Sequence, residues 1–193
     1  MLRVVGEYEP NTKEFWVCAD PEQTVDVAEF MRGLHQRWCV AVPRDWHLNT
    51  TTSAAVTIDR DRMTIALDEL LENAVRHTQA GDRIALDAVV CDGTVSFSVA
   101  DSGSGIPLAA QARVFDRFYR VDGDRNRRSG GAGLGLSLVR AVAEAHGGGV
   151  SVSSNPGGGS VFTIKLPVSV AGPQAVAPAA DGLDPHAGVQ LAT

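Results

Sequence analysis

The sequence predicts an α/β domain, and three observations carry that prediction. Apolar residues recur at helical spacing in three separate stretches; β-branched runs flank short turns in two others; and the two kinds of segment alternate along the chain. With 193 residues, 44% of them hydrophobic, the chain can bury a core of ordinary size without disulfides or metals.

The elements follow in order. Residues 1–22 hold two strand-like pieces, 2–5 and 15–18, broken by Pro10-Asn11 and Asp20-Pro21, and are left unassigned. Over 24–38, Val27, Phe30, Met31 and Leu34 share one face of an amphipathic helix, and Pro43 follows it. Short strands are predicted at 45–48 and 54–58. Asp59 or Asp61 caps the next helix, which runs to about residue 78 with Met63, Leu67, Leu70, Leu71 and Ala74 as its apolar stripe. Residues 84–90 and 94–100 flank Cys91-Asp92-Gly93 and read as a hairpin. A glycine-rich turn at 101–105 and a short helix at 108–114 come next, and then a polar, basic loop at 117–131, read as mobile. A helix at 134–146 ends at three glycines, and a last hairpin spans 150–153 and 160–166. Beyond Pro167 the composition turns to Ala, Pro and Gly, so 169–193 is predicted to be a disordered tail behind a domain at 23–168.

Composition excludes several classes. The net charge of -6 and a pI of about 5.3 argue against a broad basic surface for nucleic acid. Three cysteines with no CxxC or Cys/His spacing argue against a disulfide framework or a zinc site and point to a reducing cytoplasm. There is no secretory h-region at the start and no apolar run near the ~20 residues a membrane span needs, so no membrane contact is expected of this chain.

Three constellations carry chemistry. On the helix at 59–78, Glu69, Asn73 and the pair Arg76/His77 are three or four residues apart and share a ridge beside the apolar stripe. Such a ridge is commonly only a solvated face, but the amide oxygen of Asn73 is a hard ligand suited to Mg²⁺. Asp101-Ser-Gly-Ser-Gly105 ends a strand with a carboxylate and two glycines, Gly103 and Gly105, that let backbone approach a ligand; alone it is an ordinary tight turn. Gly131-Ala-Gly133-Leu134-Gly135-Leu136 opens onto a helix, whose first N–H groups make an anion site. No GxxxxGK[ST] occurs, which excludes a Walker-type site.

The order and spacing of these segments resemble the catalytic domain of bacterial sensor histidine kinases. Residues 67–78, LDELLENAVRHT, resemble the N box; 101–107, DSGSGIP, the G1 box; 114–120, VFDRFYR, the F box; and 131–137, GAGLGLS, the G2 box. Residues 156–162 resemble the closing hairpin, with Ser160 where the family often has Thr. The resemblance implies the fold shared with DNA gyrase B, MutL and the heat-shock ninety chaperone: a two-layer α/β sandwich, a mixed β-sheet with helices on one face, and ATP between helices and a lid. It implies that Asn73 binds Mg²⁺, that Asp101 accepts the adenine amino group, and that Gly103, Gly105 and Ile106 lie near the base. Gly131, Gly133, Leu134, Gly135 and Leu136 would hinge the lid and meet the phosphates, with Arg76 and His77 close by. Arg117 and Arg120 would reach the γ-phosphate or a partner, and Glu69 stands where superfamily ATPases place a water-activating glutamate.

One family feature is missing. None of His35, His47, His77, His146 and His186 sits in a helix with an acidic residue directly after it and a proline further on, as an acceptor histidine does. The expected function is therefore binding of Mg-ATP and phosphoryl transfer to a histidine-containing phosphoacceptor and dimerisation domain in trans, feeding a response regulator. The alternatives are a serine kinase of the anti-sigma-factor type and a non-catalytic ATP-sensing module. Phe115, Phe118 and Tyr119, in so clear an F box, favour the histidine-kinase branch.

Overall fold

A computed structural model describes residues 23–50, 52, 54–120, 133–154, 156–168 and 170–171. The strands expected at 2–5 and 15–18, Gly131 and most of the loop that holds it, His186, and nearly all of the expected tail lie outside the described residues.

Among the described residues, twelve elements form two sheets and one helical layer. The strands are β1 (Gln23–Asp26), β2 (Asp45–Leu48), β3 (Ala55–Ile58), β4 (Arg83–Cys91), β5 (Thr94–Asp101), β6 (Gly149–Ser154), β7 (Ser160–Pro167) and β8 (Val170–Ala171). The helices are α1 (Val27–Ala41), α2 (Arg60–Arg76), α3 (Leu108–Gln111) and α4 (Gly135–Ala145). Five strands form the main sheet in the order β2-β4-β5-β7-β6; β2 runs parallel to β4 and every other pair is antiparallel, so the sheet is mixed. A smaller antiparallel sheet, β1-β3-β8, adds Val25, Val56 and Ile58 to the core.

The main sheet is apolar on one side only. Ile84, Leu86 and Ala88 of β4, Val95, Phe97 and Val99 of β5, and Phe162, Ile164 and Leu166 of β7 are all buried, while Ser96, Ser98 and Thr163 on the other face are half-exposed. Helices α1, α2 and α4 cover the apolar side. Phe30 of α1 meets Phe97 edge-on with ring centroids 6.2 Å apart.

Helix ends account for most of the differences from the sequence expectation. The first helix starts at Val27, not residue 24, because Asp26 is extended and its carboxylate accepts the Glu29 N–H at 2.8 Å; residues 23–26 pair with β3 instead. Asp59, rather than Asp61, caps α2 through the Arg62 N–H at 3.0 Å. At the other end, Arg44 donates to Thr78 Oγ1 at 2.9 Å and to the carbonyls of Val75 and Thr78 at 3.2 and 3.0 Å, which satisfies carbonyls that the last turn leaves open. His146 ties α4 to the start of α2: its Nε2 accepts the Asp59 N–H at 3.2 Å, and Nδ1 donates to the Val142 carbonyl at 2.8 Å. The hairpin turn at Asp92-Gly93 has positive φ at both residues, 50° and 69°, as a two-residue turn of the I′ kind requires. The short helix ends at Gln111, earlier than expected, and β8 falls where the disordered tail was expected to begin. Among the described residues no helix is long and apolar enough to cross a membrane.

The core of α2 holds the site's main helix against the sheet. Leu70→Ala, at a position 1% exposed, is expected to cost about 2–5 kcal/mol by urea denaturation; a loss under ~0.5 kcal/mol would mean that α2 is not packed as described.

Candidate functional site

Most of the predicted residues lie on α2, at the end of β5 and at the start of α4, and close contacts of Gly103 with His77 and of Gly135 with Glu69 border the cleft between these elements. On α2, Glu69, Asn73 and His77 are half-buried beside the apolar stripe, whereas Arg76 is exposed. Arg76 turns along its own helix to Glu72, with Nη2 2.7 Å from Oε1. At such exposure, the pair contributes about 0.3–0.5 kcal/mol.

The end of β5 is fitted to the end of α2 by glycine. A Cβ on Gly103 would overlap the His77 carbonyl oxygen and press on the Asp101 carboxylate. A Cβ on Gly159, whose φ is +81°, would overlap the Asp101 carbonyl. Three stretches of backbone therefore converge on Asp101, and only glycine permits their approach. Asp101 Oδ1 accepts the Gly103 N–H at 2.9 Å. Burial raises the Asp101 pKa above its ordinary value; the Gly103 N–H, His77 and the Ser160 N–H pull it back, while Asp82 adds to the rise.

Ser154, which no sequence pattern singled out, ties the turn to the β6–β7 hairpin. Its hydroxyl accepts the Ile106 N–H at 2.7 Å, donates to the Gly159 carbonyl at 2.7 Å and lies 3.1 Å from the Ser160 hydroxyl. Gln111 closes the same knot by donating to the carbonyls of Ile106 and Ser154 at 2.9 and 2.7 Å. Ser160 itself is 5% exposed and pairs with Asp101 across the sheet. Gly105 has a φ of 70°, so the turn needs its left-handed backbone.

At the far end of the cleft, α4 begins without a cap. Leu134, its N-cap residue, offers no side-chain hydrogen bond, so the first N–H groups of the helix remain available to an anion. Gly135 lies against Glu69: a Cβ there would overlap the carboxylate oxygen Oε2. Burial, together with Glu72 and Asp68, raises the Glu69 pKa, and Arg76 opposes the rise. Leu136 packs half-buried against the core, and Leu134 is 44% exposed. The Phe118 N–H donates to the Gly133 carbonyl at 2.9 Å, which pins the F box to the start of α4. Phe118 holds a φ of 62° and is 71% exposed. Arg117, exposed, and Arg120, half-buried, flank this junction in sequence.

The structure thus sets Gly103 against the end of α2 at His77 and Gly135 against Glu69 on the same helix, with Ser160 paired to Asp101 and Arg76 turned to Glu72. A second groove, about 480 Å³, opens between Phe115, Arg140, Glu144, Val150 and Val152. Its size suits a ligand, but it contains none of the predicted residues. Among the described residues, no three His, Cys, Asp or Glu side chains gather to hold a metal. Asn73 and Glu69, one turn apart, fit a Mg²⁺ that keeps waters and takes further ligands from phosphates.

Mixed sheet, one-sided helices and this cleft define an α/β sandwich of the nucleotide-binding kind. Residues 58–170 match the family model of the histidine kinase-, DNA gyrase B-, and HSP90-like ATPases, and the chain belongs to this family. It is 47% identical over 109 residues to the sensor protein DivL of Caulobacter vibrioides, covering 56% of this chain and 13% of DivL. It is 40% identical over 116 residues to the signal transduction histidine-protein kinase BaeS of Escherichia coli, covering 60% of this chain and 25% of BaeS. The chain therefore spans a quarter or less of the length of these relatives. The crystal structure of full-length ShkA in complex with AMPPNP superposes with a TM-score of 0.66 and 31% identity, over 78% of this chain and 32% of ShkA.

Burial of Asp101 makes its ionised form costly to fold. A folded-state pKa above the unfolded one means that the stabilising contribution is present at low pH and lost as pH rises through the folded value. Asp101→Asn keeps an oxygen for the Gly103 N–H and removes the charge. Without nucleotide, it should melt at or above the wild type at neutral pH, with the gap closing as pH falls through the raised folded value toward the ordinary aspartate range. A variant that melts well below the wild type at pH 7 would contradict this account.

Proposed function

We propose that this chain binds Mg-ATP in the cleft between α2, β5 and α4 and passes the γ-phosphoryl group to a histidine of a separate phosphoacceptor domain or protein. The observation that carries the proposal is the pairing of two features: a half-buried carboxylate at the end of β5, Asp101, and a helix N-terminus without a side-chain cap at Gly135. The first suits an exocyclic amine and the second suits phosphates.

In this reading the Asp101 carboxylate takes the adenine amino group while its Oδ1 also holds the Gly103 N–H. Asn73 supplies the amide oxygen that holds Mg²⁺, which neutralises phosphate charge. Gly103, Gly105 and Ile106 lie beside the base, backed by Ser160. Gly133, Leu134, Gly135 and Leu136 present backbone to the phosphates, joined by Gly131 and, from α2, by Arg76 and His77. Arg117 and Arg120 meet the γ-phosphate or the acceptor domain. Glu69, close to the phosphate end, orients the incoming imidazole or a water. The transfer relies on positioning and charge stabilisation, with the nucleophilic nitrogen supplied in trans and ADP as the leaving group.

Support for an acceptor outside this sequence comes from the described histidines. Both ring nitrogens of His146 are engaged, His47 Nε2 lies 3.0 Å from Asp45, and the His35 ring lies 3.4 Å from Cys39 Sγ. A response regulator would take the phosphoryl group onward. Free thiols at Cys39 and Cys91 fit a reducing cytoplasm, where ATP is plentiful.

Calorimetry with Mg-ATP and Mg-GTP tests the site. Adenine should be preferred by at least about 100-fold, because a guanine base leaves the Asp101 carboxylate without a donor. Equal affinities would sink the proposal. Asp101→Asn should remove most binding, and Asn73→Ala should mainly remove the benefit of Mg²⁺.

A second assay tests the transfer. The chain mixed with labelled ATP should label a supplied histidine-kinase acceptor domain with an acid-labile bond and should not label itself. Acid-stable label on the acceptor would instead favour the serine-kinase reading, and no label with intact ATP binding would favour a sensing module.

A further inference from the structure

Glu69 occupies an unexpected place for a residue beside a phosphate site. Its carboxylate lies against Gly135 in the first turn of α4, close enough that a Cβ there would displace Oε2. The N-cap residue Leu134 contributes no side-chain cap there. The carboxylate thus sits at the positive end of the helix dipole, where phosphates would also bind. Two further acidic groups, Glu72 and Asp68, act on it from the same helix, opposed by Arg76, which is itself paired with Glu72.

We infer that Glu69 selects the metal-complexed nucleotide over the free one. The inference rests on the ATP-binding reading of this cleft. A phosphate chain that enters without a cation meets a carboxylate at the helix end that should attract it, and like charges at that separation repel strongly in a half-buried setting. A divalent cation between the two reverses the sign, whether it touches the carboxylate directly or through water. In this role Glu69 excludes, whereas Asn73 attracts. The two are separable by experiment, because loss of Glu69 charge improves metal-free binding and loss of the Asn73 amide does not.

Glu69→Gln keeps the shape against Gly135 and removes the charge. Calorimetry is run with ADP in excess Mg²⁺ and in EDTA at matched ionic strength, after melting confirms that both proteins are folded. The wild type should bind Mg-ADP and lose at least about tenfold in affinity in EDTA, while Glu69→Gln in EDTA should bind about tenfold tighter than the wild type does. Glu69→Ala, which removes charge and bulk together, should shift in the same direction. If the wild type binds Mg-ADP but the variants show unchanged or weaker metal-free affinity, the role assigned to Glu69 is wrong and the nucleotide site stands. If the wild type binds no ADP with or without Mg²⁺, the nucleotide site falls and this inference falls with it.

Discussion

The cleft depends on one steric constraint, the nearness of the end of β5 to the end of α2. The His77 carbonyl fills the space that a side chain at Gly103 would need, and the Asp101 carbonyl does the same to Gly159. These contacts seat Asp101 between a helix end and a hairpin, where it is buried enough for its charge to be costly. The hydrogen bonds of Ser154 and Gln111 hold the turn in register with β6 and β7. Arg44 fixes the other partner by closing the carbonyls at the end of α2.

A second consequence is electrostatic. Burial lifts the pKa of both Asp101 and Glu69, one at each end of the cleft. On the proposed function, a hydrogen-bond donor at Asp101 and a cation at Glu69 would offset the cost of ionising each. The uncapped start of α4 acts in the opposite sense by offering donors to an anion. The functional reading joins these tendencies, with a base recognised at one end and a metal-bridged phosphate chain at the other.

Sequence reasoning reached the parts of this arrangement that are local. Periodicity placed α2 and its apolar stripe, the pair Asp59 and Asp61 announced its cap without choosing between them, and Asp92-Gly93 announced the hairpin. The motif order brought Asn73, Asp101 and Gly135 to one family pattern before any coordinates. Long-range contacts carried no such signal. Residues 24–26 are drawn into the helix that Val27, Phe30, Met31 and Leu34 announce; pairing with β3 makes them a strand instead. Val170 and Ala171 lie in an Ala/Pro/Gly-rich stretch, yet β3 gives them a partner. Arg44, Ser154 and Gln111 act through backbone groups far along the chain, which neither spacing nor composition records. The contact of Glu69 with Gly135 joins two motifs whose residues could be named in advance, while their touching could not.

On the proposed function the nucleotide enters the cleft at Asp101 and Gly135 and not the groove at Arg140 and Val152. Backbone amide shifts followed by NMR during a Mg-ADP titration test it directly. The account predicts the largest changes at Gly103, Gly105, Gly135 and Leu136, with Ser151 and Val152 nearly still. Changes centred on Ser151, Val152 and Glu144, with Gly103 and Gly135 unmoved, would contradict it.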